Sequence, residues 1–289
     1  MTHHAFSSYH PAVAFSFLAS AALFAMAAMH PVYAALSLAG ALAASAVVRG
    51  GRATLRSLAW AVPLICVVAC ANPLFSASGS TELARIGGFA VYAESLAYGL
   101  CSGAMMAAVF LWFASYARCM TSENTLALLG GAAPVTAMTT SQVLRLVPQF
   151  VARGRTVAAV QDAASAAAAR TARERGRARL RIVSVLMEWG MEDGLVRTDA
   201  MRARGYGCTG RRTTYRRFRI RRADAAALAG ILVLAAANVP LAAAACMQHS
   251  FYPAMSVLRP WWGYAVYAAY LAIPLVFYAK EQWQWRSSR

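Results

Sequence analysis

Apolar segments long enough to cross a bilayer recur through this chain, and they constrain its fold more than any other feature. Residues 12–28, 32–48, 55–71, 95–117, 223–246 and 261–279 are each rich in Ala, Leu, Val and aromatic side chains and nearly free of charge. As helices they match a hydrocarbon layer of about 30 Å, the first two only just. In lipid, backbone N–H and C=O groups have to bond within their own segment, so an isolated apolar run of this length is a helix. Composition agrees. Of 289 residues, 60% are hydrophobic and 13% charged, against about 25% charged in soluble domains. The expected fold class is an all-α integral membrane protein with about six transmembrane helices.

Charge is distributed unevenly between these segments. The formal net charge is +17, and Lys280 is the only lysine. Nineteen arginines fall between residues 141 and 222, against six acids: Asp162, Glu174, Glu188, Glu192, Asp193 and Asp199. Arg49, Arg52 and Arg56 crowd the turn after the second segment, and Lys280 opens a basic tail. Arginines collect on the cytoplasmic side of membrane proteins. That rule puts both termini and the arginine block in the cytoplasm of a multi-pass plasma-membrane protein. The nearly neutral stretches 76–94 and 248–260 then lie outside. The chain divides into N-terminal transmembrane helices (1–118), cytoplasmic or interfacial coupling helices (119–222) between spans four and five, C-terminal transmembrane helices (223–279) and a cytoplasmic tail (280–289).

Details refine this layout. Pro63 and Pro240 predict kinks that neighbouring helices accommodate, and Asn72-Pro73-Leu74-Phe75 is expected to end the third span. Gly99 and Gly103 have the small-xxx-small spacing that lets helices approach closely. Residues 86–92 read as an interfacial segment, and 124–138, broken by Gly130, Gly131 and Pro134, as a stretch at the interface or folded back on the bundle. Cys66 and Cys70 lack companion ligands and read as small buried residues rather than a metal site. Within the arginine block, the alanine-rich 157–178 reads as a helix. Arg170, Arg173, Arg177 and Arg181 line one of its faces, while Leu180, Val183, Leu186, Met187 and Met191 form an apolar stripe.

Deep in that block lies Asp199-Ala200-Met201-Arg202-Ala203-Arg204-Gly205-Tyr206-Gly207. Arg204 offers a planar fork of donors suited to carboxylates and carbonyl-lined grooves. Gly205 can take the left-handed conformation that ends a helix. Tyr206 supplies an aromatic anchor beside the charge, as interface hot spots often do. Asp193 and Arg197 are four residues apart and can pair along a helix. An arginine–glycine helix end that merely faces water is the plainer alternative. The chain holds no Gly-rich loop ending in Gly-Lys-Ser/Thr and no nucleophile–base or metal-ligand cluster. No catalytic residue, bound metal or enzymatic activity is therefore expected. The block shows no interleaved base-stacking pattern and matches no zinc-finger or single-strand-binding motif, which argues against nucleic acid as a main partner.

Residues 200–206, followed by Arg212-Thr213-Thr214-Tyr215-Arg216, resemble the second signature of the transmembrane (T) components of energy-coupling-factor (ECF) transporters. Asn72-Pro73-Leu74-Phe75 with Gly79, Arg145-Leu146-Val147-Pro148, and Asp224 are similar to other conserved-order pieces of that family. The resemblance spans roughly residues 11–277. It implies a non-catalytic scaffold that binds two cytoplasmic ABC ATPase subunits and a substrate-binding S component in the membrane, surrounded by lipid. ATP and magnesium sit on the partner ATPases, so this chain binds no cofactor. Coupling to the ATPases falls to Met201, Arg202, Ala203, Arg204, Gly205 and Tyr206, with Arg202 standing where the family often has an acid. The first signature has two placements. Arg153 and Gly154 match by letters. Spacing from Pro148 instead favours Gln161, with Ala163-Ala164-Ser165 in a degenerate signature. The implied role is uptake of a vitamin or of cobalt or nickel. The alternative reading is a membrane-anchored basic module that binds anionic lipid or nucleic acid.

Overall fold

The computed structural model describes residues 9–75, 79–86, 89–164, 171–208, 220–253 and 255–287. It contains α1 (Pro11–Ala27), α2 (Pro31–Arg49), α3 (Gly51–Phe75), β1 (Glu82–Ile86), β2 (Phe89–Tyr92), α4 (Ala93–Cys119), α5 (Ser122–Ala132), α6 (Pro134–Ala164), α7 (Ala172–Ala203), α8 (Arg222–Gln248), α9 (Gly263–Leu271) and α10 (Ile273–Ser287). Two compact units emerge, one made of Met1–Leu128 with Phe218–Arg289, the other of Leu129–Arg217.

The first unit is a helical membrane bundle. Among the described residues, α2, α3, α4 and α8 are long and apolar enough to cross a membrane, and α1 is an apolar helix of 17 residues. The sixth expected span is divided instead. α9 ends at Leu271 and α10 starts at Ile273, just before Pro274. Proline has no N–H, and its ring crowds the carbonyl four residues earlier, which breaks a continuous ladder. The third helix differs the other way. It begins at Gly51, so Arg52 and Arg56 sit in its opening turns, and it runs through Pro73 to Phe75.

Aromatic packing fixes the bundle's centre. Phe17, Trp112, Tyr267 and Tyr270 are fully buried. Phe17 meets Trp112 edge-on and Tyr270 at 5.2 Å, while Phe24 meets both Tyr267 and Tyr270. Each buried polar tip needs a partner. The Trp112 indole N–H donates to Ser37 Oγ at 3.3 Å, and the Tyr270 hydroxyl donates to the Phe17 carbonyl at 3.2 Å. Around this centre, Leu23, Val62, Val67, Leu232 and Val233 face outward, as lipid-facing positions do.

The close approach that the Gly99/Gly103 spacing permits is made with α3. A Cβ on Gly99 would stand 2.9 Å from Ala69 Cα, and one on Gly103 would stand 3.1 Å from Ile65 Cα. Asn72 adds a hydrogen bond of 2.7 Å from its side-chain amide to the Ser95 carbonyl. Cys66 and Cys70 are exposed on α3 rather than buried. Their apolar surroundings are the outer face of the helix, and periodicity alone does not separate lipid from core.

Residues 86–92, expected as an interfacial segment, belong to an antiparallel hairpin in which Ile86 pairs with Phe89 and Glu82 with Tyr92. Glu94 fastens its approach. The hydroxyls of Ser80 and Thr81 both donate to its carboxylate at 2.9 Å. At the start of α8, buried Asp224 accepts from the backbone N–H groups of Arg221 (3.0 Å) and His10 (3.3 Å), tying the first helix to the eighth.

Candidate functional site

The second unit is built on two long helices, α6 and α7. The arginine-lined helix expected over 157–178 is interrupted, because α6 ends at Ala164 and α7 starts at Ala172. Thr171 is the reason. Its hydroxyl accepts from the Glu174 N–H and the Glu174 carboxylate accepts from the Thr171 N–H, both at 3.2 Å. This reciprocal capping box starts a new helix wherever it forms. Arg170 and Ser165, both invoked above, lie outside the described residues, as do Arg212-Thr213-Thr214-Tyr215-Arg216.

Contacts between α6 and α7 run in antiparallel order. The Tyr206 hydroxyl lies 2.8 Å from Met138 Sδ, and Gln142 reaches Met201 Sδ at 3.8 Å. Arg197 donates to Gln149 Oε1 at 2.7 Å while pairing with Asp193 on its own helix, the pairing that the four-residue spacing predicts. Phe150 and Arg153 both pack on Trp189, with the guanidinium 3.8 Å from the ring centre. Leu186 then sits beside Gly154.

This register decides where the candidate residues fall. Ala203 and Arg204 close the C-terminal end of α7, and Gln161 and Ala164 occupy the last turn of α6. Since the helices are antiparallel, these two groups lie at opposite ends of the pair. At 1.5 Å per residue, the rise along α6 from Gln142 to Gln161 is roughly 30 Å. The structure therefore does not gather the two signatures into one patch.

The α7 terminus has a defined cap. Gly205 adopts φ +75°, and the Gly205 N–H donates to the Arg202 carbonyl (2.9 Å) while the Tyr206 N–H donates to the Met201 carbonyl (3.0 Å). That pair of bonds is the Schellman closure, which needs a left-handed residue where it stands. The chain turns sharply at Gly205, leaving Arg202, Arg204 and Tyr206 exposed on the tip. The side chains of Arg202 and Arg204 have no hydrogen-bond or ion-pair partner among the described residues. Met201 is half-buried against α6.

The two placements of the first signature have different surroundings. Arg153 is engaged with Trp189, and Gly154 is spaced by Leu186. At the other placement, Ala164 is exposed, and Gln161 has a buried Oε1 with no hydrogen-bond partner among the described residues. Trp189 and Gln149 were not singled out from the sequence. Their partners lie 36 and 48 residues away, and only the helix register brings them together.

Both helices also expose apolar side chains. Leu144, Val147 and Val151 follow one another along α6, and Leu180, Val183, Met187, Met191 and Leu195 along α7. Arg173, Arg175, Arg177, Arg179 and Arg181 are exposed on the first half of α7. Neither helix contains a fully buried residue. Compared with known protein families and with curated proteins, the chain matches none.

Proposed function

We propose that this chain is the transmembrane scaffold, or T component, of an energy-coupling-factor importer. It passes ATP-driven movement of two cytoplasmic ATPase subunits to a substrate-binding S component in the membrane. One observation carries the reading: Arg204 stands on a sharply capped helix tip, exposed and without a side-chain partner among the described residues. A guanidinium held there by a Schellman turn is ready for a carbonyl- or carboxylate-lined groove on another protein. The first signature, if placed at Gln161 and Ala164 at the far end of the antiparallel pair, supports two separate contacts, one for each ATPase. The apolar stripes along α6 and α7 add support, because exposed apolar surface of that extent usually has a partner. The cytoplasmic side for this unit, the plasma membrane as location and the vitamin or cobalt/nickel class of cargo belong to the same proposal. Substitution of Arg204 by Glu tests it. The variant should insert into the membrane at wild-type yield and lose the ATPases on affinity purification in mild detergent. Unchanged ATPase recovery together with unchanged uptake would sink the proposal.

A second reading is favoured by the exposed arginines on the first half of α7: a membrane-anchored basic module that binds anionic lipid or nucleic acid. Its signature is salt. Such binding falls steeply with ionic strength and depends on Arg173, Arg177 and Arg181 about equally. A scaffold depends on one or two tip positions instead.

A further inference from the structure

The end of the bundle where α1 turns into α2 and α8 leaves toward α9 holds a cavity of about 550 Å³. It lies at the opposite end of α2 from Arg49. His30, His249, Ser256, Arg259, Trp261 and Tyr264 are among the residues that line it. Nothing in the coupling reading uses these residues.

Most of the polar atoms here are engaged. His30 is buried, its Nδ1 accepts from the Val32 N–H at 3.2 Å, and its Nε2 lies 3.2 Å from the Tyr264 hydroxyl. The His249 ring sits 4.8 Å from that of His30, and its Nδ1 is 3.2 Å from Ser256 Oγ. Two atoms are left over. His249 Nε2 and the Trp261 indole nitrogen are buried without a hydrogen-bond partner among the described residues. Leaving a buried donor unsatisfied costs about 1–3 kcal/mol, so such an atom calls for a partner from outside the chain, a water or a ligand.

Charge fixes the sign of that ligand. Arg259 is the only charged group among the lining residues, it is exposed at the cavity, and no carboxylate lines the space. Burial lowers the pKa of both histidines, to about 4 for His30, so near pH 7 both rings are neutral and neither repels a cation. Yet a metal ion would find one imidazole nitrogen open, and among the described residues no three His, Cys, Asp or Glu side chains gather. An indole N–H can only donate. The Ser256 hydroxyl gives its proton to the Ser250 carbonyl at 3.2 Å, so His249 Nδ1–H donates to Ser256 Oγ and Nε2 is an acceptor.

We infer that this cavity is a binding site for a small oxyanion, a carboxylate or phosphate group. Arg259 supplies the charge, and the Trp261 indole N–H supplies a directional hydrogen bond. The same chemistry is offered by a free anion or by the phosphate of an anionic lipid headgroup.

The test uses the full chain at pH 7 and constant ionic strength. One arm titrates detergent-solubilised protein with inorganic phosphate and with acetate, read by calorimetry. The other compares nanodiscs of phosphatidylcholine with and without phosphatidylglycerol, read by the thermal midpoint. Saturable binding is expected in at least one arm. Arg259→Gln should weaken it about tenfold, the scale of a lost charge-assisted bond, and Trp261→Phe about fivefold, the scale of one neutral bond. Both variants should unfold at the wild-type temperature without ligand, since Arg259 is exposed and phenylalanine keeps an aromatic ring. A response to free anions alone assigns the site to a soluble ligand; a response to phosphatidylglycerol alone assigns it to lipid. No saturable response in either arm, or one unchanged by both substitutions, overturns the inference.

Discussion

The membrane bundle and the arginine-rich helical pair are both helical, yet they are held together by different means. The bundle has an interior: Phe17, Leu111, Trp112, Tyr267 and Tyr270 are wholly removed from solvent. The pair has none, since no residue of α6 or α7 is fully buried. Its order rests on caps and cross-ties such as Thr171 with Glu174, Arg197 with Gln149, and Arg153 on Trp189. A unit so built presents most of its side chains outward. That suits a surface meant for other proteins, whereas the bundle spends its apolar residues on one another and on lipid.

Protons should separate the two regions most. His30 caps α2 from a buried position, and desolvation, helped by His249, lowers its pKa to about 4. An unfolded histidine titrates near 6.5. The unfolded chain therefore binds the proton more readily between these values. Stability from neutral His30 is fully present above about pH 6.5 and is lost as the pH falls toward 4, by roughly 3 kcal/mol. The segment 129–217 contains no histidine, so above pH 5 its order should hardly change. Hydrogen exchange at pH 7 and pH 5 can follow both regions in one sample. His30→Asn keeps an acceptor for the Val32 N–H and should flatten the decline. Equal loss of protection in α2 and α7 would erase the contrast.

The same small substitution should have opposite signs in the two regions. Alanine at Gly99 places a Cβ 2.9 Å from the Ala69 backbone, and such overpacking costs about 2–3 kcal/mol. At Gly194, within α7, a Cβ meets nothing within 4 Å. There alanine should stabilise by about 0.5–1 kcal/mol through helix propensity alone. Thermal midpoints in detergent check the first, and hydrogen exchange of α7 amides checks the second. A cost at Gly194 would mean that α7 packs more tightly there than the contrast allows.

How far the sequence revealed these features follows the range of the interactions involved. Apolar runs are local, so the bundle's helices were legible, and the Gly99/Gly103 spacing allowed a close helix approach without naming α3 as its partner. The Asp193–Arg197 pair and the left-handed Gly205 were legible for the same reason. Local signals also competed. Regular arginine spacing across 170–181 masked the Thr171/Glu174 box that starts α7, and the apolar character of 86–92 masked a hairpin. Pro274 was present in the sixth apolar run, but composition outweighed it. Partners far apart in the chain gave no sign at all. Asp224 with His10, Arg153 with Trp189, and the two histidines of the cavity meet only in the folded protein.

Arg204 offers the smallest expected effect on folding and so isolates what the tip is for. Its guanidinium has no protein partner among the described residues, and its backbone closes the helix through the Ala200 carbonyl at 3.2 Å, a bond that any residue makes. Alanine is a good helix former and leaves Gly205 to take the left-handed turn. Arg204→Ala should therefore change the stability of α7 by less than about 0.5 kcal/mol, the range of surface positions without special roles. Measured by protection of α7 amides, that near-silence becomes informative beside copurification. A variant that folds as wild type and yet loses ATPase places the cost in recognition. A variant that loosens α7 by 2 kcal/mol or more would make Arg204 part of the cap, and the division between an inwardly held bundle and an outwardly directed pair would fail at the residue where it matters most.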